Sequence, residues 1–436
     1  MKTLRILTLA AAVLTLAACG NEEFIENNPG NGAAKPVPMT FTAGMPQTRT
    51  QLAAGNEVHW TEGDKIALWA GTAMREFTAT TISGSNATFT GTATPSSSYT
   101  AFYPLVAVES MDDTSIRFNL PAEQTAVAGT FANQLAPALA KATGGSTDLV
   151  FDNFCALVKF TAGADMAGEG TLTLVGGNAT EALAGKYWLE YSTGNQSPVE
   201  AATRITLKGS FEAGKDYYFV VLPRTLTNGF SLLYEDSTGK LYRKATVKSV
   251  TLTAGRILNL GELKLADGFE KAVVKAIYAG LGSGTATPNA DGTVTLSDDD
   301  LSALAAMTTL ELPSGGVTSL AGLGYCTGLT TLKCGFNKLT ELNLSGLTKL
   351  TTLWCYMNQL TTLDVSGLTQ LTELWCFKNN LTALDITQLS GLRTLYCGNQ
   401  NDGRILTLTL TAAQKTKWDS TWSSDSDNVR VTFDLK

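Results

Sequence analysis

One histidine, His59, is all that the 436-residue chain contains, and that scarcity removes much of enzyme chemistry. No Gly-x-Ser-x-Gly, phosphate-loop or His-Glu-x-x-His sequence is present, so a nucleophile, a base and an orienting group cannot be assembled from motifs. Paired carboxylates, the other hydrolytic device, carry no motif of their own, and the chain is read as non-enzymatic with no cofactor. Basic clusters are also missing. Lys and Arg total 32 against 39 Asp and Glu, with a net charge of −7 and a pI near 5.0. Gripping a phosphate backbone takes clustered cations, so nucleic acid is excluded as a sequence-blind partner. Past the N-terminus no apolar run approaches the ~18 residues of a membrane helix. Charged residues are 16% and apolar ones 44%, an ordinary balance for a chain long enough to build several cores.

Cysteine is sparse, with seven in all, and their placement gives no disulfide framework. Four of them, Cys334, Cys355, Cys376 and Cys397, follow one another at steps of 21 residues, each closing a Leu-x-Cys triplet. Aligned on them, Leu329 to Leu339, Leu350 to Leu360 and Leu371 to Leu381 share the frame LxxLxCxxNxL. A fourth copy, Leu392 to Gln400, puts Gln400 in the asparagine slot, and an earlier one, Met307 to Leu312, has leucine in the cysteine slot. Degenerate outer copies are expected where terminal repeats cap a stack. Each copy is too small to bury an apolar face alone, so stacking must let Leu332, Leu353, Leu374 and Leu395 share one core. Asn337, Asn358 and Asn379 are expected to bond backbone groups inside the coil. Strands about 4.8 Å apart would set the sulfurs in a line, which does not suit tetrahedral zinc. The thiols are therefore buried fillers, as are the single Cys155 and Cys326.

This frame resembles the leucine-rich repeat family, in the short bacterial form whose recurring cysteine makes an internal ladder, as in internalin-like surface proteins. The likeness spans roughly residues 293 to 436 and implies a solenoid whose concave face is a parallel sheet. Alternation along each strand then places Lys333, Trp354, Trp375 and Tyr396 in one outward column, and Gly335, Tyr356, Phe377 and Gly398 in the next. Large aromatics on a face that polar residues would satisfy point to an interaction site for a protein or a glycan. Lys333, Trp354, Tyr356, Trp375, Phe377 and Tyr396 are the candidate binding residues.

At the other end, Met1 to Arg5 is a short basic start and Ile6 to Ala18 an apolar run too short to span a bilayer. The following Leu16-Ala17-Ala18-Cys19-Gly20 resembles the lipobox of bacterial lipoproteins. That resemblance implies removal of a signal peptide (1–18), acylation of Cys19 and a tether over 19–37. Asn21-Glu22-Glu23 is similar to the surface-export signal of lipoproteins from anaerobic Gram-negative bacteria, implying an outer-membrane anchor facing the exterior.

Between tether and repeats run short β-rich segments broken by Gly, Asn, Asp and Ser, the pattern of an all-β region. Phe230 to Tyr234 and Lys240 to Lys244 read as a hairpin about the turn Asp236 to Gly239, and Asp216 to Pro223 as a strand stopped by proline. Met39-Thr-Phe41, Val58 to Ile66, Ala101 to Pro104, Leu120 to Thr125, Phe151 to Leu157, Tyr217 to Pro223 and Ala254 to Gly261 together resemble the fimbrillin-like family of pilus subunits and surface lipoproteins. The resemblance implies a mainly β chain with two consecutive β-sandwich lobes, 38–148 and 149–266. It also implies cleavage after an arginine, here Arg49, release of a first strand and acceptance of a neighbour's strand. Apolar residues at helical spacing from Phe269 to Ala279 suggest a helical cap (267–306) before the repeats and their C-terminal cap (307–436). Asn289 to Gly292 with Asp298 to Asp300 misses the EF-hand spacing, so no metal is assigned. The leading expectation is a lipid-anchored adhesin; the alternative is a pilus tip or accessory subunit with the solenoid as a passive cap.

Overall fold

The structure, a computed structural model, describes residues 35–44, 60–178, 180–267, 269–282 and 286–436. The expected signal segment, Cys19, nearly all of the tether, Arg49 and His59 lie outside these residues. What is described is mainly β, with only short helices.

Val37–Gly44 alternates along its length, burying Phe41 and Ala43 completely. It bonds antiparallel to Asn86–Ala93 and parallel to Asp148–Asn153, and these three with Lys65–Trp69, Met74–Ser83, Ser98–Tyr103 and Ala138–Thr143 form a closed barrel. The first region is thus a barrel rather than the expected sandwich, because the parallel pairing of its first and last strands leaves no free edge. Its core is aromatic, with Phe41 set edge-on to Phe77 at 5.2 Å and Trp60 to Phe89 at 5.0 Å. Pairs in this geometry add about 0.5–1.5 kcal/mol each beyond area burial.

The expected division near residue 148 does not follow the strand pairing. Ala138–Thr143 and Asp148–Asn153 flank that point and both belong to the barrel. Ser115–Leu120 instead bonds to Ala184–Glu190, and Glu123–Val127 runs parallel to Arg204–Phe211. Gln124 reinforces this exchange: its amide donates to the Val220 carbonyl at 2.8 Å and accepts from the Val220 N–H at 3.0 Å, as a backbone neighbour would. Phe118 of the inserted segment packs against Phe102, Phe154 and Tyr187.

Around that second core lie a three-stranded sheet, a four-stranded sheet and an eight-stranded sheet. The eight-stranded sheet contains the hairpin Phe230–Asp236 and Leu241–Thr246. Its turn is held by Asp236, whose carboxylate accepts from the N–H groups of Thr238 at 2.9 Å and Lys240 at 3.1 Å.

The helix expected from Phe269 is a strand for its first half. Glu270–Val274 pairs with Leu241–Thr246 and with Thr293–Thr295, and only Lys275–Ala279 is helical. Period two prevails because each face meets a core: Ala272 packs with Val175, Leu233 and Leu241, while Val273 and Ile277 join the repeat core. The sheet of the second region therefore runs directly into the repeats. Tyr325 donates its hydroxyl to the Leu241 carbonyl at 3.0 Å, Gly324 N–H to Gly239 at 3.0 Å, and Lys208 pairs with Glu341 at 2.6 Å. Next to them is a cavity of about 370 Å³ lined in part by Glu169, Lys208, Glu235, Asp236, Glu341 and Asp364.

In the repeats, Thr309–Glu311, Thr331–Lys333, Thr352–Trp354, Glu373–Trp375 and Thr394–Tyr396 form a parallel sheet in register on Leu310, Leu332, Leu353, Leu374 and Leu395. The ladder thiols are fully buried and free, and burial pushes their pKa values far up, to about 12 for Cys334. Asn358 donates to the carbonyls of Cys334 and Cys355, both at 3.0 Å, and Asn379 to those of Cys355 and Cys376, both at 3.0 Å. Gln400 continues the series onto Cys376 and Cys397 at 3.2 and 2.7 Å.

Two outcomes follow from these contacts. Asn379→Ala leaves the Leu360 N–H, which the side-chain oxygen meets at 3.1 Å, without its partner and removes one of the two amide donors on each of the Cys355 and Cys376 carbonyls, Asn358 and Gln400 remaining, and should lower unfolding free energy by about 2 kcal/mol. Asn380→Ala should cost less than about 1 kcal/mol; equal denaturation midpoints for the two would contradict the ladder's role. Burial, then Glu341 and Asp236, raises Glu235 from 4.5 to about 7 against the pull of Lys208. A raised carboxyl contributes stability below its unfolded value that is lost as pH climbs through the folded one. Thermal midpoints should therefore fall between pH 4.5 and about 7, and Glu235→Gln should flatten that slope.

Candidate binding face

Alternation in the repeat strands turns Leu and Cys inward, so the residues between them share the opposite face. Because the strands are parallel and in register, like positions stack at about the 4.8 Å strand spacing. Trp354 and Trp375 accordingly lie face to face at 4.4 Å and 15°. Tyr356 and Phe377 do the same at 4.9 Å and 10°. Tyr396 stands perpendicular to Trp375 at 5.0 Å, and Tyr356 is tilted against Trp375 at 5.7 Å. Lys333 finishes the first column: its ammonium sits 4.5 Å from the Trp354 ring centroid and 2.6 Å from Glu311.

Five of the six candidate residues, Lys333, Trp354, Tyr356, Trp375 and Tyr396, are half-buried on this face. Phe377, expected to be exposed with them, is only 8% exposed, since Tyr356 covers one of its faces. Gly335 explains how Tyr356 can lie so close to the sheet, because a Cβ there would come within 2.8 Å of the tyrosine ring. The indole N–H groups of Trp354 and Trp375 are shielded and have no hydrogen-bond partner, so neither indole is held by a hydrogen bond of its own. Burial is the first cause raising the Tyr396 hydroxyl above its ordinary range, followed by Asp425, to which it is hydrogen-bonded, then Glu373 and Asp427.

Phe336 is a member that strand alternation does not find. It is 49% exposed and meets Tyr356 edge-on at 5.2 Å. At this slot the chain leaves the strand with positive φ, as it does at Met357, Lys378 and Asn399, with values of 56°, 53°, 52° and 46° in order. The left-handed conformation costs a non-glycine residue roughly 1–2 kcal/mol, and the ladder amides that follow each of these residues hold the turn. The recurrence of this slot two places after every cysteine was the available signal.

The second β-region meets the repeats through Gly324, Tyr325 and Glu341, none of which belongs to the aromatic columns. Among the described residues no group of three or more His, Cys, Asp or Glu could hold a metal ion, and no helix is long and apolar enough to cross a membrane.

No protein-family model and no curated protein matches this chain. Among solved structures, one from Bacteroides uniformis named for cell adhesion is similar at 17% identity and TM-score 0.36, covering 54% of this chain and 96% of that one. The functional domain of InlJ from Listeria monocytogenes, whose name includes a cysteine ladder, is 30% identical with TM-score 0.25, over 31% of this chain and 34% of that one. The tip fimbrial protein Mfa3 from Porphyromonas gingivalis is similar at 10% identity and TM-score 0.27, over 54% and 98%. At such scores the function must be argued from this chain's own surface.

Stacking of two indoles couples their electronic transitions. Wild-type protein should show a tryptophan exciton signal in circular dichroism that Trp354→Phe and Trp375→Phe each change to the same residual spectrum, that of the Trp418–Trp422 pair at 6.5 Å, while Trp60→Phe leaves it in place. A spectrum unchanged by the first two substitutions would mean the indoles are not stacked in solution.

Proposed function

We propose that the chain is a lipid-anchored surface adhesin, a pair of fimbrillin-like β lobes carrying a leucine-rich-repeat solenoid that binds a protein or glycan on its outward sheet face. One observation carries this reading. Trp354, Tyr356, Trp375 and Tyr396, with Phe336 beside them, form a continuous aromatic band, and none of them takes part in the bonds at Gly324, Tyr325 and Glu341 that join the second β-region to the repeats. Folding alone is satisfied by polar or small residues there, and aromatic clusters at the centre of a surface are where binding energy concentrates. The lipobox-like Leu16 to Gly20 supports acylation at Cys19, and Asn21 to Glu23 supports an outer-membrane location facing the exterior.

The competing role, a pilus component with cleavage at Arg49, draws support from Val37–Gly44, which is bonded on both edges and would open the barrel if it left. It provides for accepting a strand only. The segment after Ile257–Leu263 is committed to the eight-stranded sheet through Glu270–Val274, so this segment is not free to donate.

The test combines two measurements. Trp354→Ala with Trp375→Ala should reduce binding of the purified protein to its targets on combined protein and glycan arrays at least tenfold while incorporation into fibres is unchanged. Unaltered binding with lost incorporation would favour the structural role. Metabolic labelling with a fatty-acid analogue should mark the wild type and spare Cys19→Ala.

A further inference from the structure

We propose that the occupant of this face is an extended polypeptide segment with a basic side chain beside an apolar one, and not a glycan; the inference rests on the binding role proposed above. Sugars are held on aromatic residues by laying the flat C–H side of the ring against the π face. Here the faces of the central rings Trp354, Trp375 and Tyr356 are already occupied. Trp354 is covered by Trp375 on one side and by the Lys333 ammonium on the other. Trp375 lies between Trp354 and Tyr396, and Tyr356 between Phe377 and the Gly335–Phe336 turn. The in-register sheet imposes this, because rings stacked along it turn their faces along the stack and their edges to solvent. Ring edges carry the positive end of the aromatic quadrupole, which suits peptide carbonyl oxygens and apolar side chains. Phe336 stands outside the stacked pairs, at the border of the band.

Charge supplies the second constraint. Tyr396 is bordered by Glu373, Asp425 and Asp427, and none of these carboxylates has a cation within 4.0 Å among the described residues. Lys333 is engaged by Glu311. Arg393, just before the strand Thr394–Tyr396, and Lys378, beyond Phe377, stay outside ion-pair distance of the three. The band therefore ends in uncompensated negative charge beside Tyr396, whose ring stands perpendicular to Trp375, a place for a Lys or Arg that gains Coulombic attraction. Its length also fits, since five strands span about 19 Å, or roughly six residues of extended chain.

The test uses the full chain with Cys19→Ala for solubility, probed on an array of short peptides that place Lys or Arg beside Leu, Phe or Val, and on a glycan array. Capture of basic–apolar peptides is expected, weakened at least tenfold by Trp354→Ala with Trp375→Ala. Glu373→Gln, Asp425→Asn and Asp427→Asn together should weaken it comparably and remove most of its salt dependence; asparagine at 425 still caps the short turn that follows. Glycan capture that depends on Trp354 and Trp375, without peptide capture, would overturn the inference and leave the adhesive role standing. Peptide capture indifferent to the three acidic substitutions would overturn the charge assignment. Should neither array respond to the tryptophan substitutions, the binding role falls with it. Circular dichroism of each variant separates these results from misfolding.

Discussion

The carbonyl oxygens of the ladder cysteines point where water cannot reach, and each must find a donor. Asn358, Asn379 and Gln400 each supply one amide that spans two successive turns. This fixes more than stability. An amide that bonds the cysteine of its own turn and of the turn before holds consecutive copies at one spacing and one register, and the leucine column then packs without slippage. Gln400 does this with a longer side chain, and its carbonyl oxygen also accepts from the N–H groups of Asn379 and Leu381. The outermost copy thus keeps the ladder although its sequence departs from the frame.

Register, in turn, decides what the opposite face can present. Residues one place before each cysteine must stack, and where they are Trp, Trp and Tyr the result is a column whose contacts run along the sheet. Such stacking yields about 0.5–1.5 kcal/mol for each pair and fixes the rings before any partner arrives. Two indole N–H groups are left without partners inside it, a cost of about 1–3 kcal/mol apiece. Ring stacking at this level only partly offsets that cost, and a solvated sheet face has no need of it. The imbalance is itself an argument that these residues were kept for what they present outward.

Much of this was legible in the chain, and the exceptions share a cause. A fixed step between cysteines gives strand, register and column directly, because each repeat is defined by its neighbours in sequence. Phe377 escaped because alternation tells which face a side chain leaves from and not whether another ring lies over it. Phe336 escaped because its backbone had already turned out of the strand. In the β-regions the limits are different. Ser115–Leu120 and Ala138–Thr143 read alike as alternating strands, yet the first pairs with Ala184–Glu190 and the second with Ser98–Tyr103. Partner choice there depends on Phe118 and Gln124 meeting residues far along the chain, which local pattern does not encode. The apolar spacing from Val273 to Ile277 satisfied a helix on paper, and two cores competing for adjacent residues made its first half a strand.

That competition has a mechanical meaning. Ala272 and Val273 are neighbours in sequence but belong to different cores, so a single strand is at once the end of one sheet and the first support of the repeats. A linker would let the aromatic face swing freely relative to the β-region. Paired backbone at Leu241 and Ala272, the Tyr325 hydroxyl on the Leu241 carbonyl and the ion pair of Lys208 with Glu341 hold it in one orientation instead. Orientation set in this way costs nothing at the moment of binding, since the ordering was completed on folding. A rigid joint and a pre-stacked aromatic band are therefore two expressions of one constraint, in which the ordering entropy of this face is removed on folding.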